Sequence, residues 1–365
     1  MYVMEIELVD TEARLRELAV GWYGCDWVAV DTEFMRFETY YPQLCLVQVH
    51  STFGTAGIDT LCIENLDTLR TLFESDSILK IMHACRQDLE ALRQRAGFAF
   101  QAVFDTQIAA AFCGYGDSVG YAGLVRDLCG VELEKDQTLT DWSRRPLTAK
   151  QLEYAKNDVV HLNGLRTALE GRIDESGKGR WFREECLDAS AMADLVVEPE
   201  DAWRRFSHMD FPDGARGVAR ELVLWRERTA QRLNRPRQWV LSNRALMELC
   251  VRWPKNAAQL ARVRSLGKRE VRISGKAILS IFSKSRPPSG NGSRASAERP
   301  DREFRQSVKA AMGILGEVAE HRGISQGLLA SRKDVESVIR GETDSKVLKG
   351  WRYEVIGKAL RDRFC

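Results

Sequence analysis

Short apolar runs and helical stripes alternate through the first 170 residues. Trp27–Val30, Leu44–Val49, Ala56–Ile58 and Ile78–Met82 are brief apolar runs of the kind that form buried strands. Between and after them, apolar positions at helical spacing predict helices over Asn65–Phe73, Cys85–Arg95, Thr106–Phe112 and Ala122–Cys129, the last stopping at Gly130. Thr148 and Gln151 form a capping box: each side chain can satisfy a backbone N–H that the other end of the first turn leaves free. From there Leu152, Ala155, Val159 and Leu162 recur on one face and predict a helix to about Leu169. Strand and helix in alternation predict an α/β domain over 1–170.

After a helical connector over 171–210, the pattern is wholly helical. Val218, Leu222, Trp225 and Leu233 form one stripe, which Asn234 and Pro236 end. Ser242 or Asn243 can cap the next helix, and Asn256 the one after Pro254. Residues 285–300, SRPPSGNGSRASAERP, read as a flexible linker. A weak repeat flanks it. LSNRALMEL at 241–249 parallels LASRKDVES at 329–337, and ISGKAIL at 273–279 parallels VIGKAL at 355–360. Two related helical domains, 211–284 and 301–365, are therefore expected.

Charge divides the chain. Residues 1–200 hold 19 Lys and Arg against 34 Asp and Glu; residues 201–365 hold 35 against 18. The basic part is a candidate binder of polyanions. The acidic part would meet nucleic acid only with cations between them. The nine cysteines form no CxxC pair and an odd total, which suits reduced thiols and a cytoplasmic protein. No apolar run approaches the roughly 20 residues that span a bilayer, and the acidic first ten residues do not resemble an export signal.

Chemistry concentrates in three segments. VAVDTEF at 28–34 ends an apolar strand in Asp31 and Glu33. Residues two apart in a strand share a face, so both carboxylates project together and repel unless a cation lies between them. Mg²⁺ suits such an oxygen site. IMHACRQD at 81–88 puts Asp88 in the first turn of a helix, where the helix dipole alone would also favour an acid. YAKND at 154–158 sets Tyr154 and Asp158 four apart, on one helical face. Asp105 reads as a helix cap and His83 as structural. The spacing of Trp239 and Trp253 argues for burial rather than base stacking.

Taken together, DTEF, HACRQD and YAKND resemble the motifs of the DEDD 3′→5′ exonuclease superfamily in its tyrosine subclass. The segments DTEFMRFETYYPQLCLVQV at 31–49, FDTQIAAAF at 104–112 and TDWSRRPLTAKQLEYAKNDVVHL at 140–162 are similar to the ribonuclease D branch, and the basic helical region resembles the HRDC domain, present twice.

The resemblance implies a ribonuclease H-like fold with a mixed sheet, followed by two all-α HRDC-like domains. It implies that Asp31, Glu33, Asp88 and Asp158 hold two divalent ions, Mg²⁺ or Mn²⁺, with Asp31 shared between them. Tyr154 would orient the attacking water; a free phenol, with a pKa near 10, is a better positioner than a base. The implied activity is 3′→5′ removal of 5′-nucleoside monophosphates from RNA with a free 3′ end, in particular tRNA precursors and other small structured RNAs. No obligatory protein partner is evident, and no membrane is expected to be involved. Arg264, Lys268, Arg269, Arg272 and Lys276 are the expected RNA-binding residues. On this reading, removing 301–365 weakens RNA binding more than it alters chemistry. A DNA exonuclease of repair type and an RNA-binding scaffold with a dead nuclease fold are the alternatives. The scaffold would have lost one of the acids, and all are filled.

Overall fold

The computed structural model describes residues 5–133, 140–192, 198–206, 209, 211–212, 214–285 and 302–364. The chain forms two compact units: Met1–Met35, Gln43–Asp194 and Pro300–Cys365 make one, and Arg36–Pro42 with Leu195–Arg299 make the other. Most of the linker expected at 285–300 lies outside the described residues.

In the first unit the order is β1 (Ile6–Val9), α1 (Glu12–Trp22), β2 (Trp27–Met35), β3 (Gln43–Ser51), β4 (Gly54–Asp59), α2 (Asp67–Glu74), β5 (Leu79–Met82), α3 (Arg86–Ala96), β6 (Val103–Asp105), α4 (Thr106–Phe112), α5 (Tyr121–Cys129), α6 (Ala149–Val160), α7 (Leu162–Glu175) and α8 (Gly179–Met192). The sheet order is β1-β4-β3-β2-β5-β6. β2, β3 and β4 run antiparallel; β1, β5 and β6 join in parallel. This is the mixed sheet expected of the fold class.

Period-2 alternation in β2 serves two cores. Val28 and Val30 face a layer with Leu15, Leu69, Leu72 and Leu89 from α1–α3. Ala29 faces the opposite layer with Ile81, Phe104, Phe112, Leu165 and Phe182. Asp31 and Glu33 continue the second face beyond its apolar part. The expected helix from 149 to about 169 is interrupted at His161, which ends α6 and precedes α7.

The second unit contains α9 (Pro199–Phe206), α10 (Arg216–Leu233), α11 (Arg237–Val240), α12 (Asn243–Arg252), α13 (Ala257–Leu260) and α14 (Lys268–Lys284). Its own core holds Val218, Leu222, Leu246, Leu249, Ile278 and Phe282. Ser242 caps α12 by accepting from Ala245 N, and Asn256 caps α13. The β2–β3 loop belongs to this unit. Tyr40 donates to the buried Glu227, which also binds Arg237, while Asn234 Oδ1 accepts the N–H groups of Tyr40 and Tyr41.

The chain then returns to the first unit as α15 (Arg302–Arg322), α16 (Gln326–Leu329), α17 (Arg332–Ile339), a 3₁₀ turn at Lys346–Leu348, α18 (Gly350–Arg352) and α19 (Lys358–Phe364). Ala311, Leu315, Val335, Trp351 and Leu360 share one continuous core with Phe104, Phe112 and Leu165. Polar contacts reinforce it. Lys178 Nζ donates to the Phe112 and Gly323 carbonyls at 3.0 Å each, and Ser325 N donates to the Ala111 carbonyl at 2.9 Å.

Candidate active site

Two strands, two helices and a missing neighbour build the site. β5 pairs with β2 only at Trp27–Ala29, so β2 from Asp31 onward has no strand on that side. The first turn of α3 comes in there, carrying Asp88. Its approach is fixed by Asp105, the cap of α4. That buried carboxylate accepts from Gln107 N and Ile108 N of its own helix, and from Ala84 N and Cys85 N on the turn into α3. Ala84 sits at a positive φ of 55°, a strain the four hydrogen bonds offset. The cap expected from sequence thus also positions the motif that holds Asp88.

α6 packs across β2, β3 and β4 and brings Tyr154 and Asp158 to the acids of β2. Its entry is pinned by Arg145, which grips Asp59 of β4 with Nη2–Oδ1 at 2.7 Å and donates to the Cys45 carbonyl. The capping box at Thr148 and Gln151 is formed.

The carboxylates of Asp31, Glu33 and Asp158 offer oxygens that all lie within 4.8 Å of one another. Asp88 is beside them, held by Thr32 Oγ1 at 2.5 Å. Each trio member keeps some surface open to solvent, yet the surrounding protein dominates their titration. Burial and then the charges of Asp88, Asp158 and Glu33 push Asp31 well above the usual carboxylate range. Burial and the neighbouring acids push Glu33 to about 9. Burial takes Asp88 to about 7, against the hydrogen bond from Thr32. It takes Asp158 to about 7 as well, against the hydrogen bond from Tyr154. Four acids so crowded are charged together only when positive charge joins them, and an all-oxygen set of this kind fits Mg²⁺ or Mn²⁺.

All five residues singled out in the acidic region therefore converge: Asp31, Glu33, Asp88, Tyr154 and Asp158. Arg264, Lys268, Arg269, Arg272 and Lys276 belong to the other unit, where all five are exposed. Trp239 corrects an expectation. It is 53% exposed rather than core, because on the four-residue α11 the buried position is taken by Val240. Trp253 is partly buried, edge-on to Phe282 at 5.1 Å.

Three supporting residues carry no sequence signal of their own. Thr32 points to the opposite face from Asp31 in a regular strand, and only the approach of α3 gives it Asp88 as partner. Gln48, fully buried, pairs in register with Asp31. Its amide completes no well-formed hydrogen bond, but lies close enough to Glu33 to favour the charged form. Tyr121 donates to the Asn157 carbonyl at 2.8 Å, and burial with the charge of Asp158 raises its pKa. His83 engages Thr106 Oγ1 and the Val119 carbonyl, consistent with a structural part.

Comparison with known proteins adds an independent line. The family model described as 3′-5′ exonuclease matches residues 6–174, and the HRDC domain model matches 215–282. The chain is 36% identical over 342 residues to a ribonuclease D of Granulibacter bethesdensis, covering 91% of this chain and 86% of that one. It is 33% identical to a ribonuclease D of Pseudomonas paraeruginosa, covering 98% and 96%. The crystal structure of Escherichia coli RNase D, described as an exoribonuclease involved in structured RNA processing, superposes with a TM-score of 0.88 at 30% identity, over 98% of each chain.

Proposed function

The chain belongs to the ribonuclease D family and is a hydrolytic 3′→5′ exoribonuclease; from that premise we propose that it trims 3′ extensions of tRNA precursors and other small structured RNAs by two-metal-ion hydrolysis, releasing 5′-nucleoside monophosphates. The observation that carries the mechanism is the convergence of Asp31, Glu33 and Asp158 within 4.8 Å, with Asp88 alongside. Structured RNA is what the Escherichia coli relative is described as processing.

Asp31, Glu33, Asp88 and Asp158 would hold the two ions, with Asp31 shared. Bound there, the ions would acidify an attacking water and neutralise charge on the phosphate and the departing 3′ oxygen. The protein's own share is positioning. Thr32 holds Asp88 at one side of the site, and Tyr154 on α6, whose hydroxyl is tied to Asp158, would orient the attacking water. The raised pKa values mean that the acids give up protons as they take on cations. We assign the basic residues Arg264, Lys268, Arg269, Arg272 and Lys276 to RNA binding through phosphates. The cytoplasm suits the described cysteines, which are free thiols, and no helix among the described residues is long and apolar enough to cross a membrane.

The test is an incubation of 3′-labelled RNA and matched single-stranded DNA with Mg²⁺, Mn²⁺ or EDTA, beside Asp158→Ala. Metal-dependent mononucleotide release from RNA, weak on DNA and absent in the variant, is the expected result. Preference for DNA would overturn the substrate, and undiminished cleavage in EDTA would overturn the mechanism.

A further inference from the structure

The second unit carries an open cavity of about 390 Å³ between the end of α10, α11 and the start of α14. Its lining has an unusual mixture. Trp239 is 53% exposed, Ile273 60% and Leu233 42%. Around these apolar surfaces stand Arg232, Arg235 and Arg269, all exposed and, among the described residues, in no ion pair. The acid in the lining, Glu270, folds back against the backbone of Gly267, where any side chain at that position would strike its carboxylate. An exposed indole beside aliphatic surface gives a flat apolar face. Three unpaired guanidinium groups give it a positive rim.

We propose that this cavity is a stacking site for unpaired bases of single-stranded RNA, with Trp239 as the platform and Arg232, Arg235 and Arg269 meeting the flanking phosphates. The choice of occupant rests on charge. Residues 214–285 hold 17 Lys and Arg against 4 Asp and Glu. Of those four, Glu221 pairs with Arg220, Glu227 is buried against Arg237, Glu248 is bound by Arg252 and Ser265, and Glu270 is folded back. The field around the cavity is therefore strongly positive and suits a polyanion. A phosphate-only grip would need no exposed indole; a base does, because every base offers a π face to stack on. Arginine planes add cation–π and stacking contacts of the same kind. The site differs from the phosphate-binding assignment of Arg264, Lys268, Arg272 and Lys276 in what it reads: a paired helix hides its base faces, so this cavity selects unpaired segments. The inference builds on the RNA-degrading activity but does not depend on the mechanism of cleavage.

The experiment uses the full chain carrying Asp158→Asn, so that RNA is bound and not cut. Two fluorescent probes are titrated by anisotropy: an oligoadenylate of about twenty nucleotides, and a blunt RNA hairpin of equal charge. Adding Trp239→Ala should weaken oligoadenylate binding by about tenfold and hairpin binding by less than about twofold, while Trp239→Phe restores most of the loss. Arg235→Ala should lower the affinity for oligoadenylate and reduce the slope of log affinity against log salt by about one. An equal loss for both probes, or no loss for either, would overturn the proposal. So would self-association of the chain in sedimentation that Trp239→Ala abolishes while RNA binding stays intact, since the cavity would then be an interface between copies. Cleavage of the same oligoadenylate by the wild-type chain with Mg²⁺ is scored separately, so a failure of the nuclease reading is distinguishable from a failure of this one.

Discussion

The two helical regions after the exonuclease fold share a local pattern and differ in what they are built into. In each, a serine caps the middle helix: Ser242 for α12 and Ser331 for α17. In each, a glycine within the last helix or immediately before it lets a short preceding turn come close. A side chain at Gly275 would press on Leu260 at 3.2 Å, and one at Gly357 would strike the Val347 carbonyl at 2.2 Å. The repeat read from sequence thus has a physical basis in the close approaches at its matched glycines, while the capping serines stand one position apart in the paired segments. Yet 214–285 closes its own core, whereas 302–364 buries Leu315, Val335 and Trp351 in the core of the catalytic unit. Charge follows the same division. The first region has 17 basic residues against 4 acidic, and the second 13 against 9. Similar local sequence can therefore supply a separate basic module in one place and a structural buttress in another.

Deletion is the severest way to break this comparison. Removing 302–365 should leave the exonuclease core open and the protein insoluble or inactive, read by expression and by RNA cleavage. That differs from the milder expectation from sequence, a weakening of RNA binding that exceeds any change in chemistry, because the pattern could not show which core these helices join. A chain that stays folded and cleaves RNA without them would refute the buttress.

Point changes sharpen the contrast. Trp351 stacks on Trp181 at 5.3 Å and donates to Glu185, which also binds Arg352 at 2.5 Å. Trp351→Ala should destabilise the catalytic unit by about 3–5 kcal/mol. Phe282→Ala should cost the first helical region a similar amount while the amides of β2–β5 keep their hydrogen-exchange protection. Equal loss of β2–β5 protection in both variants would contradict separate cores.

The acidic pocket opposes the basic module electrostatically, and pH tests that side. Glu33, Asp88 and Asp158 have folded pKa values of about 9, 7 and 7, and Asp31 is also raised. Unfolded carboxylates titrate near 4. Between these limits the folded state holds more protons than the unfolded state, so stability falls as pH rises from about 4 toward 9. In EDTA the melting temperature should be lower at pH 9 than at pH 5, and Asp158→Asn should flatten the fall. Mg²⁺ should restore stability at high pH. A fall unaffected by Mg²⁺ and by Asp158→Asn would place its origin outside the pocket. The smallest effect is expected in the basic module. Arg272→Ala and Lys276→Ala should each weaken RNA binding a few-fold, lower the salt slope by about one, and leave melting within about 0.5 kcal/mol.

What was legible in the sequence was local chemistry. Strong apolar runs gave β2, β3 and β5, and the Thr148 capping box gave the start of α6. The DxE spacing on a strand put Asp31 and Glu33 on one face, and the four-residue spacing put Tyr154 with Asp158. β1, IELV, escaped because Glu7 breaks its apolar run, and β6 because three residues have no period. His161 interrupts an apolar stripe that continues unbroken through the turn. Thr32, Gln48 and Tyr121 escaped for another reason. Their roles come from contacts across the sheet or between helices, such as Thr32 with Asp88 56 residues away, and nothing near them in sequence announces the partner. Trp239 was misread because on the four-residue α11 the buried position is taken by Val240.

The central claim is that Asp31, Glu33, Asp88 and Asp158 form a cation site. Calorimetric titration of Mn²⁺ into the full chain at pH 7, in two buffers of different ionisation enthalpy, tests it most directly. The account predicts binding coupled to proton release, because acids with raised pKa values are displaced into their charged form, and a loss of at least about tenfold in affinity in Asp31→Asn. Mn²⁺ binding of equal affinity and equal proton release in wild type and Asp31→Asn would contradict it.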